Sequence, residues 1–309
     1  MAGEALSFDT SLAEMEKADW LAALASLCED DGYLERLGKR HVAAFIEAGT
    51  TLLVTFETLQ GIHALSPKAQ PLGWRMIQAE GWSHLCIASD GDTWFRDRAV
   101  FGYFDRLVDD GFFDEFETVI FYGAGPCGYA AAAYAVASPG ARVVVVQPQA
   151  TLDPRITEWD DRFSDMRRLD FTARYGYAPD MIDGAERAHV LYDPAQQLDA
   201  MHAALFTRPN VVKHRLRFMG DAIQTDLLEM DIFDALLKAA ANDTLDEWLF
   251  SKLLRSRRNH SPYLRNLMTA LDSQGRDSLV RALAQNVTAR MKAPRFARRL
   301  AELNEAQDD

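Results

Sequence analysis

Between Thr118 and Tyr134 an apolar run, Thr118-Val119-Ile120-Phe121-Tyr122, meets Gly123, Gly125 and Gly128 and then an alanine-rich segment. Glycines at G-x-G-x-x-G spacing between a strand and a helix are what dinucleotide binding requires. They permit a tight turn, close approach of a pyrophosphate, and close packing of helix on strand. The N-terminus of that helix supplies free N–H groups for phosphate. On this reading the chain is a nucleotide-dependent oxidoreductase and the cofactor is FAD or NAD(P). Two features speak against it. The acidic residue that binds a ribose should end the next strand, where Gln147 stands, followed by Pro148 and Gln149. That fingerprint also usually opens its domain, whereas two strand-like runs precede it here. Glycines that serve only a sharp turn are the plainer account.

Other reactive types are sparse. Cys127 falls in the first turn of the predicted helix, where the dipole lowers a thiol pKa, but no histidine is placed to activate it. His189 and His214 lie inside predicted strands and read as core or edge residues. Asp193 and Asp221 each follow a predicted strand, where paired carboxylates could share a proton or hold a divalent cation. Asp193-Pro194-Ala195-Gln196 is also a good helix start, so capping is the simpler role. No Walker A, His-Glu-x-x-His or Cys-x-x-Cys pattern occurs, and no metal centre is expected. Trp74, Trp82, Trp94 and Phe95 read as core aromatics.

The elements that must hold these residues follow from periodicity. Residues 11–48 read as helices. Leu12, Met15, Trp20, Leu21, Leu24 and Leu27 recur at three- and four-residue spacings, and Val42, Phe45 and Ile46 form a second stripe ending at Gly49. Short apolar runs then mark buried strands at residues 50–56, 84–89, 118–122, 142–146, 188–192 and 211–216. Helical stretches at 98–109, 129–137 and 194–206 alternate with them, which implies a mostly parallel sheet covered on both faces. From about Asp221 strands disappear. Residues 243–254, 262–271, 278–290 and 293–303 read as amphipathic helices, broken near Asn259, Gly275 and Pro294. The expected division is a helical segment 1–48, an α/β core 49–235, and a basic helical module 236–309.

The glycine turn also follows a second template in register. Strand, Tyr-Gly-x-Ser-Met-Gly-Gly-Tyr, small-residue helix, strand, Pro-Gln is a pattern of bacterial α/β-hydrolase-like proteins. Tyr122-Gly123-Ala124-Gly125-Pro126-Cys127-Gly128-Tyr129 resembles it, as do Val146-Gln147-Pro148-Gln149, Leu152-Asp153-Pro154, Asp160-Asp161-Arg162-Phe163, Tyr192-Asp193-Pro194 and His202-Ala203. The resemblance spans roughly residues 50–235 and implies a three-layer α/β-hydrolase-like core. It also implies a Ser nucleophile on a strained elbow, an acid after a later strand, and a His near the end. The nucleophile position falls on Gly125, which has no side chain. The next residue, which normally donates its N–H to an oxyanion, is Pro126, which has none. The acid falls on Asp193. Gly220-Asp221 stands where Gly-His is expected, so the base is missing.

Loss of nucleophile and base together removes almost all acyl-transfer acceleration. The resemblance therefore implies a pseudoenzyme with a degenerate triad, which binds a small polar or anionic ligand or a partner protein. Its expected binding residues are Gly123, Gly125, Cys127, Gly128, Gln147 and Gln149; the remaining catalytic candidates are Cys127, Asp193 and Asp221. Proteins with the Ser-containing elbow are associated with bacterial surface-glycan pathways, which extends that expectation to this chain.

Composition bounds the rest. The 309 residues, 48% apolar and 26% charged, suit a soluble globular protein. No apolar run is long enough for a membrane span, the start lacks a secretory h-region, and three scattered cysteines make no disulfide framework. A cytoplasmic location is the expectation. The formal charge of −13 argues against nucleic acid, yet residues 251–300 hold 12 Lys+Arg against 2 Asp+Glu. Arg255, Arg257, Arg258 and Arg265 in that basic module are candidates to clamp a phosphate or an acidic protein partner. Docking of the module on the acidic body is the simpler use of the charge.

Overall fold

A computed structural model describes residues 7–308. The six apolar runs become strands because each is too short for a helix, and all but the run at Val211–Arg215 are largely buried on both faces. They are joined by two strands more, and one eight-stranded sheet results. In chain order these are β1 (Gly32–Leu37), β2 (His41–Ile46), β3 (Thr51–Thr58), β4 (Ser83–Ser89), β5 (Thr118–Ala124), β6 (Arg142–Val146), β7 (Arg187–Tyr192) and β8 (Val211–Arg215). The sheet order is β1-β2-β4-β3-β5-β6-β7-β8. Strands β3 to β8 run parallel to one another, and β2 is antiparallel to both β1 and β4.

Helices cover both faces. On one, Pro126–Tyr134 and Arg98–Asp109 pack Tyr134, Phe104 and Phe56 into an aromatic core. The Phe104 and Tyr134 ring centroids lie 4.5 Å apart. On the other, Phe233–Ala241 presses Phe233 and Leu237 against Tyr122 and Val144. Each such large side chain contributes about 1.5–3 kcal/mol through burial. The result is a three-layer α/β-hydrolase-like core, as expected, with helices added after β8.

The N-terminal expectation fails in part. A helix does form, but over Lys17–Cys28, and the Val42-Phe45-Ile46 stripe is strand β2 rather than helix. Every residue of β2 is buried, so it shows no period-two alternation, and an i, i+3, i+4 pattern arises by chance in so short a run. Gly38, at φ 66°, turns the chain between β1 and β2.

Beyond β8 the described residues contain helices and no strand, as the sequence implies: Glu247–Leu253, Ser261–Ser273, Asp277–Arg290 and Pro294–Asp308 follow in turn. Val280, Ala284, Val287 and Phe296 give these helices a small core of their own. They meet the body through apolar contacts of Phe250 and Leu254, and through His260 Nε2, 2.7 Å from Asp226. No helix among the described residues is long and apolar enough to cross a membrane.

Candidate functional site

Strand β5 ends in a turn whose apex is Gly125, at φ 55° and ψ −126°. Its N–H donates to the Val146 carbonyl at 2.8 Å, and its own carbonyl accepts from Tyr129 N–H at 2.9 Å. The neighbouring glycines are there for space. A Cβ on Gly123 would lie 2.2 Å from the Cys127 carbonyl oxygen, and one on Gly128 would lie 3.1 Å from that of Gly123. At Gly125 a Cβ would meet nothing within 4 Å. The turn thus points its apex at open space, as a nucleophile elbow does, and displays no side chain there. Pro126 follows as the first helical residue, so the N–H that would hold an oxyanion is absent.

A cleft of about 300 Å³ opens above this apex. Gly125, Pro126, Gln147 and Gln149 form its floor, and Arg162, Asp199 and Asp221 its walls. Gln147, just past the end of β6, has a left-handed backbone at φ 48°, a strained conformation for a residue with a Cβ. Contacts on every side hold it. Its N–H donates to the Leu191 carbonyl at 2.7 Å, and its Nε2 donates to Asp199 at 2.8 Å. Its main-chain carbonyl accepts from Gln149 Nε2 at 3.2 Å. Gln149 is 3% exposed, and its Oε1 has no hydrogen-bond partner. A buried amide oxygen left empty at the floor of a cleft is costly and awaits a donor.

The cleft wall is an ionic network. Arg162 donates from Nη1 to Asp199 at 2.7 Å and from Nη2 to Asp160 at 2.8 Å. Asp160 also lies 2.9 Å from His202 Nε2. Burial pushes the Asp160 pKa up, but hydrogen bonds from His202 and Arg162 outweigh it and hold the carboxyl well below its usual value. The Asp–His pair looks like half of a triad. It is not one, because Ala150 N–H donates to His202 Nδ1 at 3.1 Å. With Nδ1 accepting, Nε2 carries the proton and gives it to Asp160, and the ring has no nitrogen left for a substrate.

The sequence candidates divide accordingly. Gly125, Gln147, Gln149 and Asp221 come together around the cleft. Gly123 and Gly128 lie beneath it as packing glycines. Cys127 is half-buried on the core side of the turn, where burial and then the nearby Glu57 carboxyl push its thiol pKa up, the reverse of activation. Asp193 is a cap: its carboxylate accepts from Ala195 N–H and Gly220 N–H, each at 2.8 Å. It is buried, whereas Asp221 is exposed. His189 and His214 bond to each other at 2.9 Å inside the sheet. Trp74, Trp82, Trp94 and Phe95 are all buried core residues. Arg162 and Asp199 enter the site unforeseen. The Asp160-Asp161-Arg162-Phe163 stretch was visible in the sequence, but its partners Asp199 and His202 lie about forty residues on.

No family model matches the chain, and no curated protein matches it either. Among solved structures it is similar to a mutant capsule O-acetyltransferase of Neisseria meningitidis serogroup A in complex with CoA, at 12% identity and TM-score 0.44. That match covers 67% of this chain and 93% of the other. It is similar also to Est1E from Butyrivibrio proteoclasticus, at 12% identity and TM-score 0.44, over 67% of this chain and 97% of that one. A third similar structure is the Glycosylation Associate Protein (Gap123) complex from Streptococcus agalactiae. There the identity is 14% and the TM-score 0.43, over 70% of this chain and 47% of that one.

Proposed function

We propose that this protein uses an α/β-hydrolase-like scaffold to bind a small polar ligand, without Ser-dependent hydrolysis. The observation that carries the reading is the apex of the elbow: Gly125 faces open space with no side chain, and Pro126 offers no N–H. The cleft above it keeps the features of a binding site. A strained Gln147 is fixed by several contacts, and the Gln149 Oε1 lacks a donor.

Charge selects among ligands. Arg162 is spent on Asp160 and Asp199, while Asp199 and Asp221 both face the cleft. The walls therefore offer acceptors in excess of cations, which favours a neutral molecule rich in hydroxyl donors over an anion. A saccharide or polyol fits that chemistry and the 300 Å³ of space. It also fits the surface-glycan context that the elbow motif suggests.

Saturation-transfer NMR with a panel of neutral monosaccharides, polyols and adenine dinucleotides tests this. The expected result is transfer to a hydroxyl-rich neutral ligand, abolished by Gln149→Leu, with no turnover of nitrophenyl esters. Binding restricted to adenine dinucleotides, or ester turnover by the native chain, would overturn it.

A further inference from the structure

A second concavity lies at the far edge of the sheet, on the opposite flank from β1. Strand β8 ends the sheet, so among the described residues one of its edges has no strand beside it. Between that edge and the residues following helix Glu247–Leu253 runs a groove of about 530 Å³. Its walls bring together Lys213 and Arg215 from β8 with Arg255, Arg257 and Arg258 from the segment after the helix. Residues 213 and 215 are two apart on a strand and share a face. The folded chain thus adds two cations to the arginine cluster visible in the sequence.

Five cations here face one lining carboxylate, Glu247. None of the five takes part in an ion pair among the described residues, although the chain has 46 Asp and Glu to offer. Arg257 rests on the Tyr263 ring, its guanidinium carbon 4.8 Å from the centroid, and Lys213 reaches the Ala204 carbonyl at 3.4 Å. The expectation that the basic module spends its charge on the acidic body therefore fails at this groove. Crowding like charges around a hollow raises its potential and costs free energy unless an anion enters. Among the other lining residues the His214 and Phe250 rings lie 4.2 Å apart, and Ser251 adds a hydroxyl.

We infer that this groove binds a phosphorylated small molecule carrying at least two negative charges. Guanidinium groups match phosphate oxygens in a bidentate fork. The space admits a sugar phosphate or a mononucleotide, and the Phe250 ring suits the less polar end of either. The site is separate from the cleft over Gly125: of the residues lining the two, none is shared.

Calorimetric titration of the full chain with inorganic pyrophosphate at low ionic strength tests it. The expected result is saturable binding, weakened about tenfold or more in Arg255→Gln/Arg258→Gln and also in Lys213→Gln, and weakened again by about 0.2 M salt. All three side chains are exposed, so the variants retain the fold. Pyrophosphate bound equally well by the double variant, or no binding of pyrophosphate alongside tight binding of a polyglutamate peptide, would overturn it. The second result would mark the groove as a seat for an acidic protein segment.

Discussion

His202 and Asp160 meet at 2.9 Å where both side chains are fully buried. The second nitrogen of the ring is closed by Ala150 N–H, so the pair is a brace that ties helix Gln197–Leu205 to the loop after β6. His202→Ala should cost about 3 kcal/mol in urea unfolding, the scale for breaking a buried pair. It should leave ligand binding measurable once the protein is folded. The folded pKa of Asp160 lies below the ordinary 3.8. Its stabilisation is therefore present above about pH 4 and withdrawn as pH falls further. Asp160→Asn should make stability less sensitive to acid below pH 4. An unchanged acid limb would contradict the brace.

Four other imidazoles set the pH dependence above that range. Burial lowers the pKa of His41 and His214 to about 4, and of His84 and His189 to about 3, from the usual 6.5. The unfolded chain binds these protons and the folded chain refuses them, so stability is full above about pH 6.5 and declines as pH drops toward 4. Glu57 and Asp226, whose carboxyl pKa values burial raises, work in the opposite direction, but they are two against four. Urea midpoints taken from pH 7.5 to 4.5 should fall with pH. A flat or rising profile would show that the imidazoles are not buried neutral.

The three glycines of the turn differ in what they tolerate. Gly125→Ala should fold at a cost of about 1–2 kcal/mol, the penalty for a side chain at positive φ. Gly123→Ala puts a methyl 2.2 Å from a main-chain carbonyl oxygen and should cost at least about 4 kcal/mol. Thermal unfolding of the two variants checks the order. Equal losses would mean that the turn does not have this shape. Gly125→Ser should behave like the alanine variant and acquire no esterase activity, because Pro126 still supplies no N–H and both His202 nitrogens are engaged.

Thiol chemistry offers an independent check. Burial raises the Cys28 pKa to about 12 and pushes those of Cys86 and Cys127 up as well. None should react with iodoacetamide at pH 8 in the native state at a rate above that of a simple thiol, and all three should react in denaturant. Fast native labelling of Cys127 would restore it as a nucleophile.

Much of this architecture was legible because burial on both faces leaves an unmistakable mark. Arg142-Val143-Val144-Val145-Val146 can hardly be anything but a central strand, and Gly123 to Gly128 announce the turn. The β1–β2 hairpin was not legible for the same physical reason. A fully buried His41-Val42-Ala43-Ala44-Phe45-Ile46 carries no alternation, and its alanines suit a helix equally well. That the turn carries no side chain at Gly125 and no N–H at Pro126 could be read residue by residue, since Gly and Pro are defined by what they lack. The walls of the cleft could not. Arg162 and Asp199 are surface-type residues 37 positions apart, and only the packing of the helix that carries Asp199 against β7 brings them to 2.7 Å. The second groove was half visible, as arginines with no sign that Lys213 and Arg215 face them.

The central claim is that the elbow displays no nucleophile. Intact-mass spectrometry of the native chain after incubation with an excess of a fluorophosphonate tests this most directly. The account predicts an unchanged mass, with a Ser-containing hydrolase labelled in parallel as the positive control. A single stoichiometric adduct mapping to any residue that lines the cleft over Gly125 would contradict it.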